Sequence, residues 1–274
     1  MPIGERPLIM GILNVTPDSF SDGGLFTSVD DAVSHAERLV SEGADILDVG
    51  GESTRPGGEP ITAEEEIRRV VPVIEGVSQR VSVPLSVDTT KSEVARAALA
   101  AGAAIVNDIS ALRFDFYIAD AVARAGAGLV LMHSRGTPAT MHRQPPIADI
   151  MEEVTTSLRA SIHMAERRGV KRESIVIDPG IGFGKSQEQN LELIAKLDQL
   201  IDAFRDYPLL IGTSRKSFIG RMLADESGTP APASERLHGT MATIAAAVLK
   251  GAHIIRVHDV KAAAETIRVT IQLR

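Results

Sequence analysis

Eight short aliphatic runs recur along the chain, and each ends on a polar residue or a glycine-rich turn. They lie near Leu8–Leu13, Ile46–Val49, Leu85–Val87, Ala104–Val106, Leu129–Met132, Ile175–Ile177, Leu209–Ile211 and Ile254–Val257. Runs this short and apolar suit parallel strands buried on both faces. Amphipathic stretches separate them, among them Val29–Ser41, Ala63–Val77, Ser92–Ala101, Asp149–Arg168 and Asn190–Phe204. Within Asp149–Arg168, the residues Ile150, Val154, Leu158, Ile162 and Ala165 fall three or four apart, which predicts one helix face. Thr62 ahead of Glu64–Glu66 predicts a helix start, with acidic residues at the positive end of the dipole.

Strand and helix alternating in this number within 274 residues predict an α/β chain, a (β/α)8 TIM barrel in a single domain over 1–274. A doubly wound open sheet reads the same locally. The residues that end the strands separate the two: Asn14, Asp48-Val-Gly-Gly, Asp88, Asn107-Asp108, His133, Asp178-Pro-Gly, Ser214-Arg-Lys and Arg256-Val-His258. In a barrel all of them converge on one mouth. An open sheet would use mainly those at its switch point. Three long connections, Val15–Ser28, Gly50–Thr62 and His133–Gln144, are dense in turn-forming residues. Loops of that length in a compact domain are commonly functional.

Composition narrows the function. Lys and Arg total 29 against 36 Asp and Glu, a net charge of −7, which argues against nucleic acid and anionic membrane as partners. Any anionic substrate must then meet a local basic cluster. The absence of cysteine excludes a disulfide scaffold, a thiolate zinc site, an iron–sulfur cluster and a cysteine nucleophile. No run approaches the roughly 18 apolar residues of a membrane span, and Met1–Met10 makes a poor signal peptide, so a cytoplasmic protein is expected.

Asp88, Asn107 and Asp178 each interrupt an apolar strand where it leaves the core. Any one of them could simply cap the helix that follows. Three around one mouth, with Lys216 opposite, could instead read a flat heterocycle that has both donor and acceptor edges. Arg55, Lys185, Arg215, Lys216, Arg221, Arg256 and His258 lie in or beside strand-end loops. Arg215 and Arg221 are as well explained by solvation. Arg256 and His258 alternate across Val257 and would emerge on one face, where with Arg55 and Asn14 they could clamp a phosphate or diphosphate. The segment Asp178–Ser186 fails the Walker A spacing, because Pro179 stands where the first glycine is required, and it fails Gly-x-Gly-x-x-Gly at Lys185. Its glycines allow close backbone approach to a ligand, with Phe183 as an apolar wall.

The motifs resemble the dihydropteroate synthase family. Met10-Gly-Ile-Leu-Asn-Val-Thr-Pro-Asp-Ser-Phe-Ser-Asp-Gly-Gly24 is similar to its first signature and Asp48-Val-Gly-Gly-Glu-Ser-Thr-Arg-Pro-Gly57 to its second. Further matches are Ser86-Val-Asp-Thr89, Asn107-Asp-Ile109, Leu131-Met-His133, Arg135-Gly-Thr-Pro138, Asp178 to Lys185, Thr213-Ser-Arg-Lys-Ser217 and Arg256-Val-His-Asp-Val260. The resemblance spans about residues 8–262. It implies a pterin-binding TIM barrel that joins a dihydropterin diphosphate to p-aminobenzoate with Mg2+, in folate biosynthesis, at the step sulfonamides block. By matching position, Asp88, Asn107, Asp178 and Lys216 would hold the pterin, with Arg256 across its face. Asn14, Thr54, Arg55, Arg256 and His258 would hold the diphosphate, Asn14 also reaching Mg2+. Phe20, Pro56, Phe183 and Ser217 would form the p-aminobenzoate pocket once loops 15–28 and 50–62 close, and Asp22 would help order that state.

The chain departs from the family at Ala111, where glycine is usual, and at Ser134, where methionine is common. The alternatives are a pterin-dependent methyltransferase and a non-catalytic pterin-binding paralogue. Ser234–Lys250, with Leu237, Met241, Ile244, Ala245 and Val248, reads as a helix buried against the barrel. The resemblance adds a homodimer seam on the last two helices.

Overall fold

The computed structural model describes residues 4–15, 29–53 and 60–273. Strands β1 (Leu8–Asn14), β2 (Ile46–Gly50), β3 (Leu85–Asp88), β4 (Ile105–Asp108), β5 (Gly128–Met132), β6 (Ile175–Asp178), β7 (Leu210–Ile211) and β8 (Ile254–Val257) form one sheet. Their order is β6-β5-β4-β3-β2-β1-β8-β7, and every pairing is parallel. Ile177 of β6 bridges Leu209 just ahead of β7, and its N–H donates to the Pro208 carbonyl at 3.0 Å. The two ends of the row therefore meet, and chain order runs round the ring without a reversal. This is the TIM barrel, not the open sheet.

The helices wrap the outside: α1 (Val29–Ser41), α2 (Ala63–Ser78), α3 (Ser92–Ala100), α4 (Tyr117–Ala125) and α5 (Ile150–Arg167). After them come α6 (Gln187–Ala195), α7 (Leu197–Ala203), α8 (Ser217–Met222), α9 (Leu237–Leu249) and α10 (Val260–Thr270). Thr62 caps α2 by accepting from the Glu65 N–H at 3.2 Å, and Asp149 caps α5 through the Glu152 N–H at 2.9 Å; such a cap contributes about 1 kcal/mol. One expectation needs correction. The stretch Asn190–Phe204 is two helices, broken at Lys196 (φ −106°, ψ 23°). Leu193, Leu197 and Leu200 are all buried across the break, so apolar spacing carries no trace of it. On α9, Thr240, Ile244, Ala247 and Val248 are buried, as a helix lying against the barrel requires.

The strand period of two sorts side chains into two cores. Leu47, Val87, Val106, Leu131, Ile177 and Ile255 face the helices. Leu8, Met10, Ile46, Val130, Leu210 and Ile254 plug the barrel interior, with Ile105 and Val176 against them. Each such aliphatic side chain stabilises the fold by about 1.5–3 kcal/mol when fully buried. Two residues further along the same strands, Ile46 gives way to Asp48, Ile105 to Asn107, Val176 to Asp178 and Ile254 to Arg256. An apolar floor thus supports a polar ring at the C-terminal mouth.

Candidate active site

Arg256 is the centre of that ring. Its Nε donates to Asp48 Oδ2 at 2.6 Å and its Nη2 to Asp88 Oδ2 at 2.8 Å. Asp48 is fully buried, and its Oδ2 also accepts from Asn107 Nδ2 at 3.0 Å. That bond turns the Asn107 amide so that one of its N–H groups is already committed. Asp48 was absent from the site residues expected from sequence, although it stands in the inward phase, two residues past Ile46, as Asn107 stands past Ile105. Burial pushes the Asp88 carboxyl up to about 7, with Arg256 pulling it down and Asp48 adding to the rise. Gly50 opens space beside it: a Cβ there would lie 3.5 Å from Asn14 Oδ1 and 3.7 Å from Asp88 Cβ.

On the opposite wall, Asp178 Oδ1 accepts from the Gly180 N–H at 2.7 Å. Burial pushes Asp178 up while Lys216 draws it down. Lys216 donates to the Ile181 carbonyl, and its Nζ lies 4.7 Å from the centre of the Phe183 ring. Burial lowers Lys216 to about 8, against the pull of Asp178. Gly180 (φ +67°) passes so close to the preceding loop that a Cβ would fall 1.8 Å from the His133 carbonyl oxygen. Lys185 locks the same crossing by donating to the carbonyls of Gly180 at 2.7 Å and of His133 and Phe183 at 3.2 Å. This lysine is a clamp for the loop that carries Phe183, a role its place in the motif did not disclose.

None of Asp88, Asn107 and Asp178 caps the helix that follows: the N-cap positions of α3, α4 and α6 are Lys91, Phe116 and Ser186. The neighbouring carboxylate, Asp108, alternates to the other side of β4 and closes the turn that follows the strand. It accepts from the Ser110 N–H at 2.8 Å, the Ser110 hydroxyl at 2.7 Å and the Leu112 N–H at 2.6 Å. This turn holds Ala111 (φ +49°) and Leu112 (φ +68°) in left-handed backbone, at about 1–2 kcal/mol each. Ala111 therefore occupies a position suited to glycine, and the bonds to Asp108 offset the strain. At the second departure, the Ser134 hydroxyl accepts from Arg113 Nη2 at 2.7 Å.

Arg256 and His258 were expected to emerge on one face, where they could clamp a phosphate. Arg256 reaches inward to two carboxylates, because alternation aims it at the barrel axis. His258 lies above it, with Nδ1 2.9 Å from the Ser214 hydroxyl, which also accepts from the His258 N–H at 3.2 Å. Arg215 pairs with Asp259, its Nε donating at 2.9 Å, and Arg221 donates to Gln187 at 2.9 Å, so both have structural partners. Phe183 is half-buried and Ser217 is exposed at the start of α8. Phe20, Asp22, Thr54, Arg55 and Pro56 lie outside the described residues. Among the described residues there is no cluster of three His, Asp or Glu able to hold a metal, and no helix long and apolar enough to cross a membrane.

A family model for pterin-binding enzymes matches residues 10–258. A dihydropteroate synthase of Synechocystis is 46% identical over 266 residues, covering 97% of this chain and 90% of that protein. The structure of dihydropteroate synthase from Clostridium difficile in the presence of pteroic acid matches with a TM-score of 0.91 at 45% identity, over 100% of this chain and 98% of that one. The Xanthomonas albilineans dihydropteroate synthase in complex with 7,8-dihydropteroate matches with a TM-score of 0.86 at 43% identity, covering 98% and 94%.

Proposed function

The chain belongs to the pterin-binding enzyme family, among relatives that are dihydropteroate synthases, and on that premise we propose how it makes dihydropteroate. The reaction condenses 6-hydroxymethyl-7,8-dihydropterin diphosphate with p-aminobenzoate, releasing diphosphate, in folate biosynthesis. The observation that carries the reading is the polar ring of Asp88, Asn107, Asp178 and Lys216 set over an apolar floor. The two aspartates accept from the amino and ring N–H groups of a pterin, and Asn107 and Lys216 complete its acceptor edge. Arg256, held by Asp48 and Asp88, presents a guanidinium plane against which a flat ring can stack.

Asn14, Thr54, Arg55 and His258 are assigned to the diphosphate, Phe20, Pro56, Phe183 and Ser217 to p-aminobenzoate, and Asp22 to ordering the loaded site. The fit to Mg2+ is that of a metal carried by its substrate. Mg2+ keeps several waters and phosphate oxygens and needs only one or two oxygens from protein, and Asn14 Oδ1 beside Gly50 supplies one. When bound, Mg2+ supplies charge neutralisation to the departing diphosphate. The C–O bond breaks with its electron pair going to diphosphate, and the positive charge on the methylene spreads into the pterin ring. The aniline nitrogen then forms the C–N bond and loses its proton. No protein nucleophile is required, and the residues act by positioning and electrostatics.

The Leu249 and Val269 side chains, exposed on α9 and α10, support a homodimer seam there, and a cytoplasmic location follows from the substrates. The test is diphosphate release from the purified protein with Mg2+ and dihydropterin diphosphate, with and without p-aminobenzoate. Dihydropteroate formed with equimolar diphosphate, and lost in Arg55→Ala, is the expected result. Tight pterin binding with neither product would make the chain a binding paralogue.

A further inference from the structure

We propose that Lys91 is a positioning residue for the condensation, fixing the exit of β2 through ion pairs with Glu52 and Glu66. The inference rests on the dihydropteroate-forming reading above. Lys91 stands three residues beyond Asp88. Its ammonium donates to Glu66 Oε2 at 2.6 Å and to Glu52 Oε2. Glu66 lies fully buried in the first turn of α2, and Glu52 lies two residues before Thr54. A single amine therefore joins the exits of β2 and β3 to the start of α2.

A second tie acts on the adjacent residue. Arg69 Nη1 donates to the Gly51 carbonyl at 3.0 Å, while Arg69 Nε holds Glu65 at 2.7 Å. Gly51 packs so closely on α2 that a Cβ there would come within 2.7 Å of Val70 Cγ1. The backbone at Gly51 and the side chain at Glu52 are thus both held, just where the chain leaves the barrel for Thr54 and Arg55. Glu66 Oε1 has no hydrogen-bond partner. A site that needed only filling would be better served by an apolar side chain, so the buried carboxylate points to geometry as its purpose. Glu66 is also near enough to Asp88 to raise its carboxyl, so the network borders the polar ring at the barrel mouth.

The test uses the full chain with Glu52→Gln, which leaves the buried Lys91–Glu66 pair intact, alongside Lys91→Met and Lys91→Arg. Steady-state kinetics for both substrates are combined with calorimetric binding of 6-hydroxymethylpterin, which lacks the diphosphate, and with hydrogen exchange at Gly51–Ser53. The expected result for Glu52→Gln is a fall in kcat/KM of about 10- to 100-fold, the scale of a small misplacement. Exchange at Gly51–Ser53 rises, and affinity for 6-hydroxymethylpterin stays within about twofold. Lys91→Arg recovers part of what Lys91→Met loses. Wild-type kinetics and exchange in a folded Glu52→Gln would overturn the proposal, as would an equal loss of bare-pterin affinity, which would make the network a support for the ring. Absence of turnover in the wild-type protein would overturn the reading of function instead, and the exchange arm would still decide whether Glu52 and Lys91 hold the β2 exit.

Discussion

Replacing Asp88 by asparagine is expected to stabilise the fold above neutral pH while weakening pterin binding. Asp88 sits at the mouth end of β3 with its carboxylate on Arg256 Nη2 at 2.8 Å. Burial raises its carboxyl from 3.8 to about 7 despite that partner. In the unfolded chain the group ionises at its ordinary value. Between about pH 4 and pH 7 the folded state therefore keeps a proton that the unfolded state has released, so stability falls as pH rises through this window. Above it the loss is complete. A shift from 3.8 to about 7 corresponds to about 4 kcal/mol, at about 1.4 kcal/mol for each tenfold change in proton affinity.

Asparagine keeps an oxygen for Arg256 and has no charge to bury. The variant should match the wild type near pH 4 and exceed it by about 2–4 kcal/mol above pH 8. Urea unfolding followed by circular dichroism across that range measures the gap. In the same protein, pterin affinity should drop about 10- to 100-fold, from the about 1.5–3 kcal/mol of a hydrogen bond to a charged acceptor. A gap that does not change with pH, or a variant less stable than wild type above neutrality, would refute the reasoning.

Lys216, lowered to about 8 by burial, loses its charge as pH rises through that value, so kcat/KM for the dihydropterin diphosphate should decline above about pH 8; Lys216→Arg should abolish that limb of the pH–rate profile. Gly180→Ala would drive a methyl to 1.8 Å from the His133 carbonyl oxygen, and a loss beyond about 4 kcal/mol or no folded protein is expected in thermal unfolding. Lys185→Met leaves three carbonyls without their donor, which should cost about 3 kcal/mol or more, again read from the unfolding midpoint. Arg256→Met strands two buried carboxylates and should destabilise by about 3–5 kcal/mol. Adding Asp88→Asn should recover part of this, a non-additivity measurable in a double-mutant cycle.

The barrel was legible because one regularity repeats: a short apolar run ending on a polar residue or a glycine-rich turn, then an amphipathic stretch. The polar ring at the mouth was legible for the same reason, since Asp88, Asn107 and Asp178 each break an apolar strand where it leaves the core. The break at Lys196 was not legible, because Leu193 and Leu197 keep helical spacing across it. The partners of Arg256 were hidden by distance along the chain: Asp48 lies 208 residues away and Asp88 168 residues away, and only closure of the ring brings them together. Lys185 reads in sequence only as one of several basic residues in strand-end loops. It is a loop clamp because its ammonium has three donors and no acceptor, and three carbonyls converge on it.

The inward aim of Arg256 changes how the charges in the site divide. Asp48, Asp88 and Asp178 oppose Arg256 and Lys216, and the elevated carboxyl of Asp88 brings this deep set close to neutrality. A nearly neutral ring with committed donors and acceptors suits an uncharged heterocycle, which brings hydrogen bonds and no charge into a buried place. Within it Arg256 already donates to two carboxylates, which offset much of the charge it could offer a diphosphate. On the proposed reading, attraction for the anion is assigned to His258 and Arg55, with Asn14 as the residue that would hold Mg2+. On this division the net charge of −7 is no obstacle to an anionic substrate, because the protein need hold the charged end only at the mouth, where departing diphosphate can return to water.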